Sequence, residues 1–530
     1  MNAFKMSFAT LYRRPLPFVM ATAILLLAAG AHAAAPGITG PTFNLTAQPA
    51  YISQPDSQFV YSWGYGCSAQ PSGFLPGAIT PPASGCPTMQ VPGPTLIVTE
   101  GQTVTVNLVN GLPTAAGNTS ILFPGFNVAA TNGVPGLLTR EAAPGGAVSY
   151  SFTATTPGTR AYYSGTQSDL QVEMGLFGAI IVLPAIVPAN CTTGIAASNL
   201  SAQAHWGESD FRLAAAAYDH AKSCYDREYL FQFSEMDLNI HNQAMAQVTA
   251  KAGCAAGAVG CSLSVPTEPY HPTYFMINGR SMPDNMDPNY AFQYPHQPYN
   301  GNPHMHPGEL TLLRIIGQGR WQHPFHEHGN HVRVLGRDGN LIVSATDPNS
   351  LAGPLLFTTT TTPGQAMDGI FYWTGRGLNW DAYGHNPSSA KASAKLSCTP
   401  DANGYNTGAT AAINYFEWCQ DHNKPLQATP VGDVAGAGPV TLPDANIFAN
   451  GAWYGGSPYL GPDATIRAVG STGTTPPSGT IANSPTDEAG FAFMWHSHNE
   501  REITTNNIFP GGMLMMMLVD SREFVIDESF

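Results

Sequence analysis

Charge is what this chain has least of. Asp, Glu, Lys and Arg together make up 11% of its 530 residues, against roughly 25% in ordinary soluble domains. The shortage is greatest among cations, with 21 Lys and Arg against 35 Asp and Glu and a formal net charge of −14. Such a chain has little with which to neutralise a phosphate backbone, which argues against nucleic acid as a partner. Also missing are a Gly-rich phosphate loop, a Gly-x-Ser-x-Gly nucleophile elbow and any nucleic-acid-binding motif. Beyond the first residues no apolar run is long enough to span a bilayer, so no integral membrane segment is expected after leader removal.

What is abundant is turn chemistry. The chain holds 55 Gly and 45 Pro, and 43% of its residues are hydrophobic. Short Val/Thr/Tyr/Phe-rich runs lie between turn clusters, the signature of an all-β protein with long loops. The length suits two to four domains with sizeable cores. At the start, Lys5, Arg13 and Arg14 precede the apolar stretch from Pro17 to Gly30, and Ala31-His32-Ala33 is a small-x-small cleavage site. Residues 1–33 therefore read as a signal peptide cleaved after Ala33, giving a periplasmic or extracellular protein by Sec or twin-arginine export. Its removal takes away three positive charges and makes the rest still more acidic.

All eight cysteines follow the leader, which fits an oxidising compartment. Pairing chain neighbours gives Cys67–Cys86, Cys191–Cys224, Cys254–Cys261 and Cys398–Cys419, one of 105 possible connectivities. None of them sits among the histidines. Five of the 16 histidines fall in two short windows, His323-Pro324-Phe325-His326-Glu327-His328-Gly329 and His496-Ser497-His498. Residues two apart on a strand share a face, so each His-x-His can aim both rings at one ion. Neutral imidazole suits copper, zinc, iron and nickel.

Strand signals are dense from about 41 to 185. They include Pro94–Val98, Thr103–Leu108, the alternating Val148–Phe152 and the apolar Gly178–Val182. A connector over about 186–225 contains Leu213-Ala214-Ala215-Ala216-Ala217, which suggests a short helix. A second β-rich region, 226–526, runs through Arg227–Phe233, Tyr274–Arg280 and Glu309–Ile316 into the first histidine window. Within it, about 376–484 is a Gly/Ala/Asn/Pro-rich insertion with little periodicity, expected to be pinned by the last two cysteines. Phe491–Trp495 leads into the second window, and the apolar strand Met513–Val519 closes the chain.

Several motifs in order resemble a multicopper oxidase. They are Gly93-Pro94-Thr95 with Glu100-Gly101, Gly133-Val134-Pro135-Gly136, Asp169 to Gly178, and the two histidine windows. The resemblance implies tandem cupredoxin-like Greek-key β-sandwich domains, two with an insertion in the second, or three if the region between Cys191 and Tyr274 holds another. It also implies a mononuclear copper with a cysteine ligand, and a trinuclear cluster held by four His-x-His pairs. Carried over residue by residue, the first pair falls on Leu122 and Pro124 and the second on Tyr163 and Gly165, none of which has a ligating imidazole. His323 is placed like a mononuclear ligand, and His326 and His328 like trinuclear ligands. His496 and His498 are kept, but Ser497 stands where the mononuclear cysteine belongs and Glu502 where its second histidine belongs. A hydroxyl cannot replace a soft thiolate, so a four-copper oxidase cycle is not expected.

The expected residue is one transition-metal ion, copper first and zinc second, on His326, His328, His496 and His498, with His323 and Glu502 joining them or forming a separate weak site. Rival expectations are an oxidoreductase of altered chemistry with Glu327, Glu500 or Glu502 as base, an oxidase completed by a partner chain, and a metal-free scaffold. Homo-oligomerisation or a place in an extracytoplasmic assembly is open. Of the weaker features, His304-Met305-His306 reads as a loop, the methionines at 513–517 as core, and Trp321 and Trp495 as packing walls.

Overall fold

The computed structural model describes residues 34–79, 81–82, 85–377, 397–421, 490–520, 522 and 524–528. The leader and most of the insertion lie outside the described residues. Two pairs of facing sheets form the bulk of the described chain, beside a two-stranded ladder of Val134–Pro135 and Arg140–Glu141. In the first pair, one sheet runs Gly158–Tyr163, Phe177–Leu183, Leu96–Thr99, Gly37–Thr39, Phe74–Leu75. Its partner runs Phe59–Cys67, Thr42–Ser53, Thr103–Asn110, Ala147–Thr153, Ala129–Asn132. Strand Ala147–Thr153 shows why they stack. Val148, Tyr150 and Phe152 are buried while Ser149 and Ser151 are not, so the period-2 pattern gives it one wet face and one core face. Those residues join Leu96, Ile180 and Val182 of the opposite sheet in one apolar core.

Strand Phe177–Leu183 is buried on both faces, for a different reason. Ile180 and Val182 face that core, whereas Ala179 and Ile181 pack on Leu230, Ile316 and Ala366 of the second sandwich. The small residues let the two sandwiches approach closely. Polar groups finish the seam. Thr159, in the first sandwich, donates from Oγ1 and N to Asp368 Oδ1 and Oδ2 at 2.6 and 3.0 Å, and Tyr218 donates to the same carboxylate at 2.7 Å. Arg314 bridges Glu228 at 2.8 Å and Thr159 Oγ1 at 3.1 Å.

The second sandwich sets Tyr274–Ile277, Arg227–Met236, Leu310–Gly317, Ala366–Tyr372, Val332–Arg337 and Asn340–Leu341 against His304–Met305, Leu514–Asp520, Gly490–Ser497, His323–Glu327 and Thr358–Thr361. Phe231, Phe233, Phe325, Trp495, Met513, Met515 and Met517 fill the space between the sheets, so the closing methionines are core. The four disulfides are Cys67–Cys86, Cys191–Cys224, Cys254–Cys261 and Cys398–Cys419. The last one holds residues around Tyr405, Tyr415 and Phe416 against Ala202.

Two local expectations are corrected. The alanine run at 213–217 forms no helix; Ala216 instead makes a β-bridge to Cys224. Five residues give too few turns to repay helix nucleation, and the helix of this connector is Gly194–His205. His304-Met305-His306 is not a loop, since His304–Met305 pairs in parallel with the closing strand and both histidines are buried. Among the described residues no helix is long and apolar enough to cross a membrane.

Arg314→Met should destabilise the protein by about 3–5 kcal/mol, because it leaves the Glu228 and Asp368 carboxylates buried without their cation. Urea unfolding of the purified protein measures this, and a loss under about 1 kcal/mol would show that the seam does not depend on the pair.

Candidate metal centre

The two histidine windows lie on adjacent antiparallel strands. Strands His323–Glu327 and Gly490–Ser497 pair in a register that sets His326 directly opposite His496, with Phe325 opposite Ser497 and Glu327 opposite Trp495. Opposed residues of an antiparallel pair share a face. His328 and His498, each two positions further along its own strand direction, extend the same row toward opposite ends. The result is a rhombus of rings. Centroids of His326 and His496 are 5.7 Å apart, His326–His328 4.9 Å, His328–His496 5.2 Å, His326–His498 4.9 Å and His496–His498 5.4 Å.

His328 Nε2 and His496 Nε2 lie 3.2 Å apart. Two ligands on one tetrahedral ion with metal–nitrogen bonds of about 2.0–2.1 Å lie roughly 3.3 Å apart. His496 Nδ1 is 2.7 Å from the Ser497 carbonyl. A carbonyl only accepts, so Nδ1 carries the proton and Nε2 presents its lone pair, the arrangement that outer hydrogen bonds impose on ligating imidazoles. His326 Nδ1 is 2.8 Å from Thr358 Oγ1. Trp495 Nε1 donates to the His328 carbonyl at 2.9 Å and fixes the backbone at that end. Burial, then the neighbouring imidazoles, push His326 down to about 4 and His328 to about 3, and burial lowers His496. These rings are neutral at physiological pH, the form that binds metal. His498 is the rim, with a side chain 54% exposed and Nδ1 3.7 Å from Glu500 Oε1.

His323 does not join the cluster. Its odd spacing from His326 puts it on the opposite, core-facing side of the same strand. There its Nδ1 is 2.9 Å from Glu502 Oε2 and its Nε2 3.0 Å from Glu235 Oε2. Burial opposes the charge, but the ring's hydrogen bonds to the Glu235 and Glu502 carboxylates outweigh it and raise the ring to about 9. Glu502 is also not a ligand here. The strand ends at Ser497, and the turn Glu500–Ile503 swings the carboxylate back under the sheet, where Ser497 Oγ donates to Oε2 and Asn499 Nδ2 to Oε1 at 2.9 Å. The donor set expected for a mononuclear copper has thus closed on itself, and it does not fit the metal.

Glu327 points into the core as well. It is fully buried, accepts from Thr359 Oγ1, and burial drives its carboxyl well above the usual range, so it is no base for the cluster. His331 stacks on Phe357 at 3.5 Å. Leu122 and Tyr163 are bridged through their backbones, and a Cβ on Gly165 would lie 2.7 Å from Leu122 Cγ. The four positions of the first domain are near one another but offer no imidazole.

A further donor group, which sequence reasoning missed, is Glu208, His306 and Glu309. Its candidate donor atoms all lie within 4.8 Å of one another, tighter than the four-histidine rhombus. It already contains its cation. Arg227 reaches Glu208 and Glu309, each at 2.5 Å, and His306 Nε2 is 2.6 Å from Glu208. Arg227 bridges both carboxylates and Arg522 Nη1 lies 3.7 Å from Glu309, so two guanidiniums meet two carboxylates and the group is a closed ion-pair network. Glu208 meets the other two only through tertiary packing, with no spacing signal.

Comparison with known proteins follows this geometry. Residues 88–186 match the family model described as multicopper oxidase. They span most of the first sandwich, including all four positions that lack histidine. Over 98 residues, 18% of this chain and 15% of the relative, the chain is 38% identical to multicopper oxidase MCE of Talaromyces pinophilus. Among solved structures it is similar to a blue copper oxidase from Nitrosomonas europaea (14% identity, 90% of this chain and 85% of that one, TM-score 0.43). The multicopper oxidase mgLAC aligns with 14% identity over the same shares, TM-score 0.42. A copper nitrite reductase from Nitrosomonas europaea aligns with 18% identity over 63% and 85%, TM-score 0.36. The protein is a mostly β tandem sandwich. Residues 88–186 resemble a multicopper oxidase domain, and the chain spans about a seventh of the length of the curated relative it matches.

The raised His323 has a pH consequence. Its folded-state value, about 9, exceeds the unfolded value of about 6.5, so the stability it contributes is complete below pH 6.5 and is lost as pH rises through 9. Stability of His323→Gln should therefore fall less than that of the unaltered protein between pH 7 and 10, by chemical denaturation; parallel curves would refute the assignment.

Proposed function

We propose that this chain is an exported protein that binds one transition-metal ion, copper ahead of zinc, through the row formed by His326, His328, His496 and His498. The observation that carries the reading is the approach of His328 Nε2 to His496 Nε2 at 3.2 Å beside the His326 ring. His326, His328 and His496 would hold the ion, with His498 at the rim. Copper is preferred because imidazole sites bind it most tightly in the divalent series, and the resemblance of residues 88–186 to a multicopper oxidase domain agrees with that choice. Bound there, copper would supply redox or Lewis-acid chemistry.

A four-copper cycle does not fit these residues. Leu122, Pro124, Tyr163 and Gly165 supply none of the four imidazoles required from the first sandwich, and the Ser497–Glu502–His323 assembly leaves no donor set for a mononuclear copper. Export is supported by the leader-like first residues and the four disulfides. The role that follows is metal handling, alone or within an extracytoplasmic assembly. The half-exposed His498 beside Glu500 favours a second reading, in which the ion keeps an exchangeable position and acts as a catalyst.

Plasma mass spectrometry of protein matured in the export compartment should find about one equivalent of metal per chain, lost in the His326→Ala/His496→Ala double variant. An absence of metal in both, even after copper loading, would defeat the reading and leave the sandwich as a scaffold.

A further inference from the structure

We infer that the family's electron-entry position has become an internal ion-pair clamp in this chain, in which His323, at a ligand position, is held between Glu235 and Glu502 and steadies the strand end at His496 and His498 through the turn Glu500–Ile503. The second half of this statement rests on the metal reading above; the first does not.

Donor accounting carries the argument. Carboxylates only accept, and His323 offers Nδ1 to Glu502 Oε2 at 2.9 Å and Nε2 to Glu235 Oε2 at 3.0 Å. Both ring nitrogens are donors in that geometry, so the ring is an imidazolium with no lone pair left for a metal. Its carboxylate partners are satisfied too. Glu235 Oε1 receives the backbone N–H groups of Arg320 and Trp321 at 2.6 and 2.9 Å and the Tyr270 hydroxyl at 3.3 Å. Glu502 receives Ser497 and Asn499. A buried charge is tolerable when it is paired and its remaining hydrogen bonds are made, and every group named here meets that condition.

The clamp joins three elements. Glu235 lies on Arg227–Met236 of one sheet, His323 on the opposing sheet, and Glu502 on the turn Glu500–Ile503. One ring therefore ties the two sheets across the core and anchors the turn. Ser497 links the clamp to the histidine row. It stands between His496 and His498, donates to Glu502 and accepts from the Asn499 N–H at 3.2 Å, while its own N–H is held by the Met513 carbonyl at 3.0 Å. The serine that replaces the family's thiolate is thus the bolt between clamp and row. Glu235, His323, Ser497 and Glu502 are positioning residues, with no contact to the ion.

The test uses the full mature protein, selectively labelled with ¹⁵N-histidine, and the variants Glu502→Gln and Ser497→Ala. The His323 ring should show two protonated nitrogens at neutral pH, unchanged on copper loading. In metal-free Glu502→Gln, amides of the turn around 497–503 should exchange at least tenfold faster, with those of the first sandwich unaffected, and copper affinity should fall about 10- to 100-fold, as for other outer-sphere partners. Ser497→Ala should move both readouts the same way if Glu502→Gln does not fold. A singly protonated His323 would overturn the clamp, as would exchange rates within twofold of the unaltered protein. If no metal binds, the metal reading fails, and the ring signature and exchange rates still decide the clamp.

Discussion

The pairing of His326 with His496 across two antiparallel strands is the constraint from which the rest of the site follows. Strand geometry puts opposed residues on one face and alternates faces along the chain, so fixing that single register assigns every neighbour. His328 and His498 must extend the row; Phe325, Glu327, Trp495 and Ser497 must face the core. A slip of one strand by one residue would send its two imidazoles inward and break the row. The register is held by what lies beneath it. Phe325 and Trp495 are completely buried and in contact, with centroids 6.1 Å apart, and Trp495 also meets Phe371 at 4.9 Å. The apolar core between the sheets thus determines where the polar row appears on the outside.

The same alternation separates two chemistries a few ångströms apart. On the outer face, imidazoles sit near one another with no carboxylate among the buried three, and each raises the cost of charging the next. On the inner face, one imidazole sits between two carboxylates and keeps its proton. Residue type does not distinguish His323 from His326; its side of the strand does. The neutral rings are suited to a cation from solution, whereas the charged one already serves as a cation.

Much of this could be read from the chain. Period-2 patterns at Val148–Phe152 and the apolar closing strand located sheet elements correctly, because one-sided burial writes itself into sequence. The disulfides follow chain neighbours because each closes a local loop. The convergence of two His-x-His windows was also readable. The fate of His323 could have been read too, since its spacing of three from His326 is odd, but family placement drew attention to ligand identity and away from strand parity. Glu502 was harder. Whether it shared the histidine face depended on where the strand ended, and the Glu500–Ile503 turn is set by Ser497 and Asn499 bonding to the carboxylate itself. Of the Glu208–His306–Glu309 group the sequence showed only His306, within His304-Met305-His306, because Glu208 meets the other two only through tertiary packing.

That last group and the histidine row define what an unfinished site is. Both gather potential metal donors, and by donor spacing alone the carboxylate group is the tighter of the two. Yet its two carboxylates are matched by two guanidiniums, Arg227 and, 3.7 Å from Glu309, Arg522, so a metal entering there would have to displace a guanidinium from a buried bidentate pair at a cost of several kcal/mol. In the row no internal cation is present, and the approach of His328 Nε2 to His496 Nε2 forces one imidazole to donate to another, an arrangement weaker than a bond to an ion. Electrostatic completion, more than proximity of donors, separates a structural knot from a binding site. By that criterion the clamp at His323 and the network at Arg227 are complete, and the row of four histidines is the donor group left open for the ion proposed above.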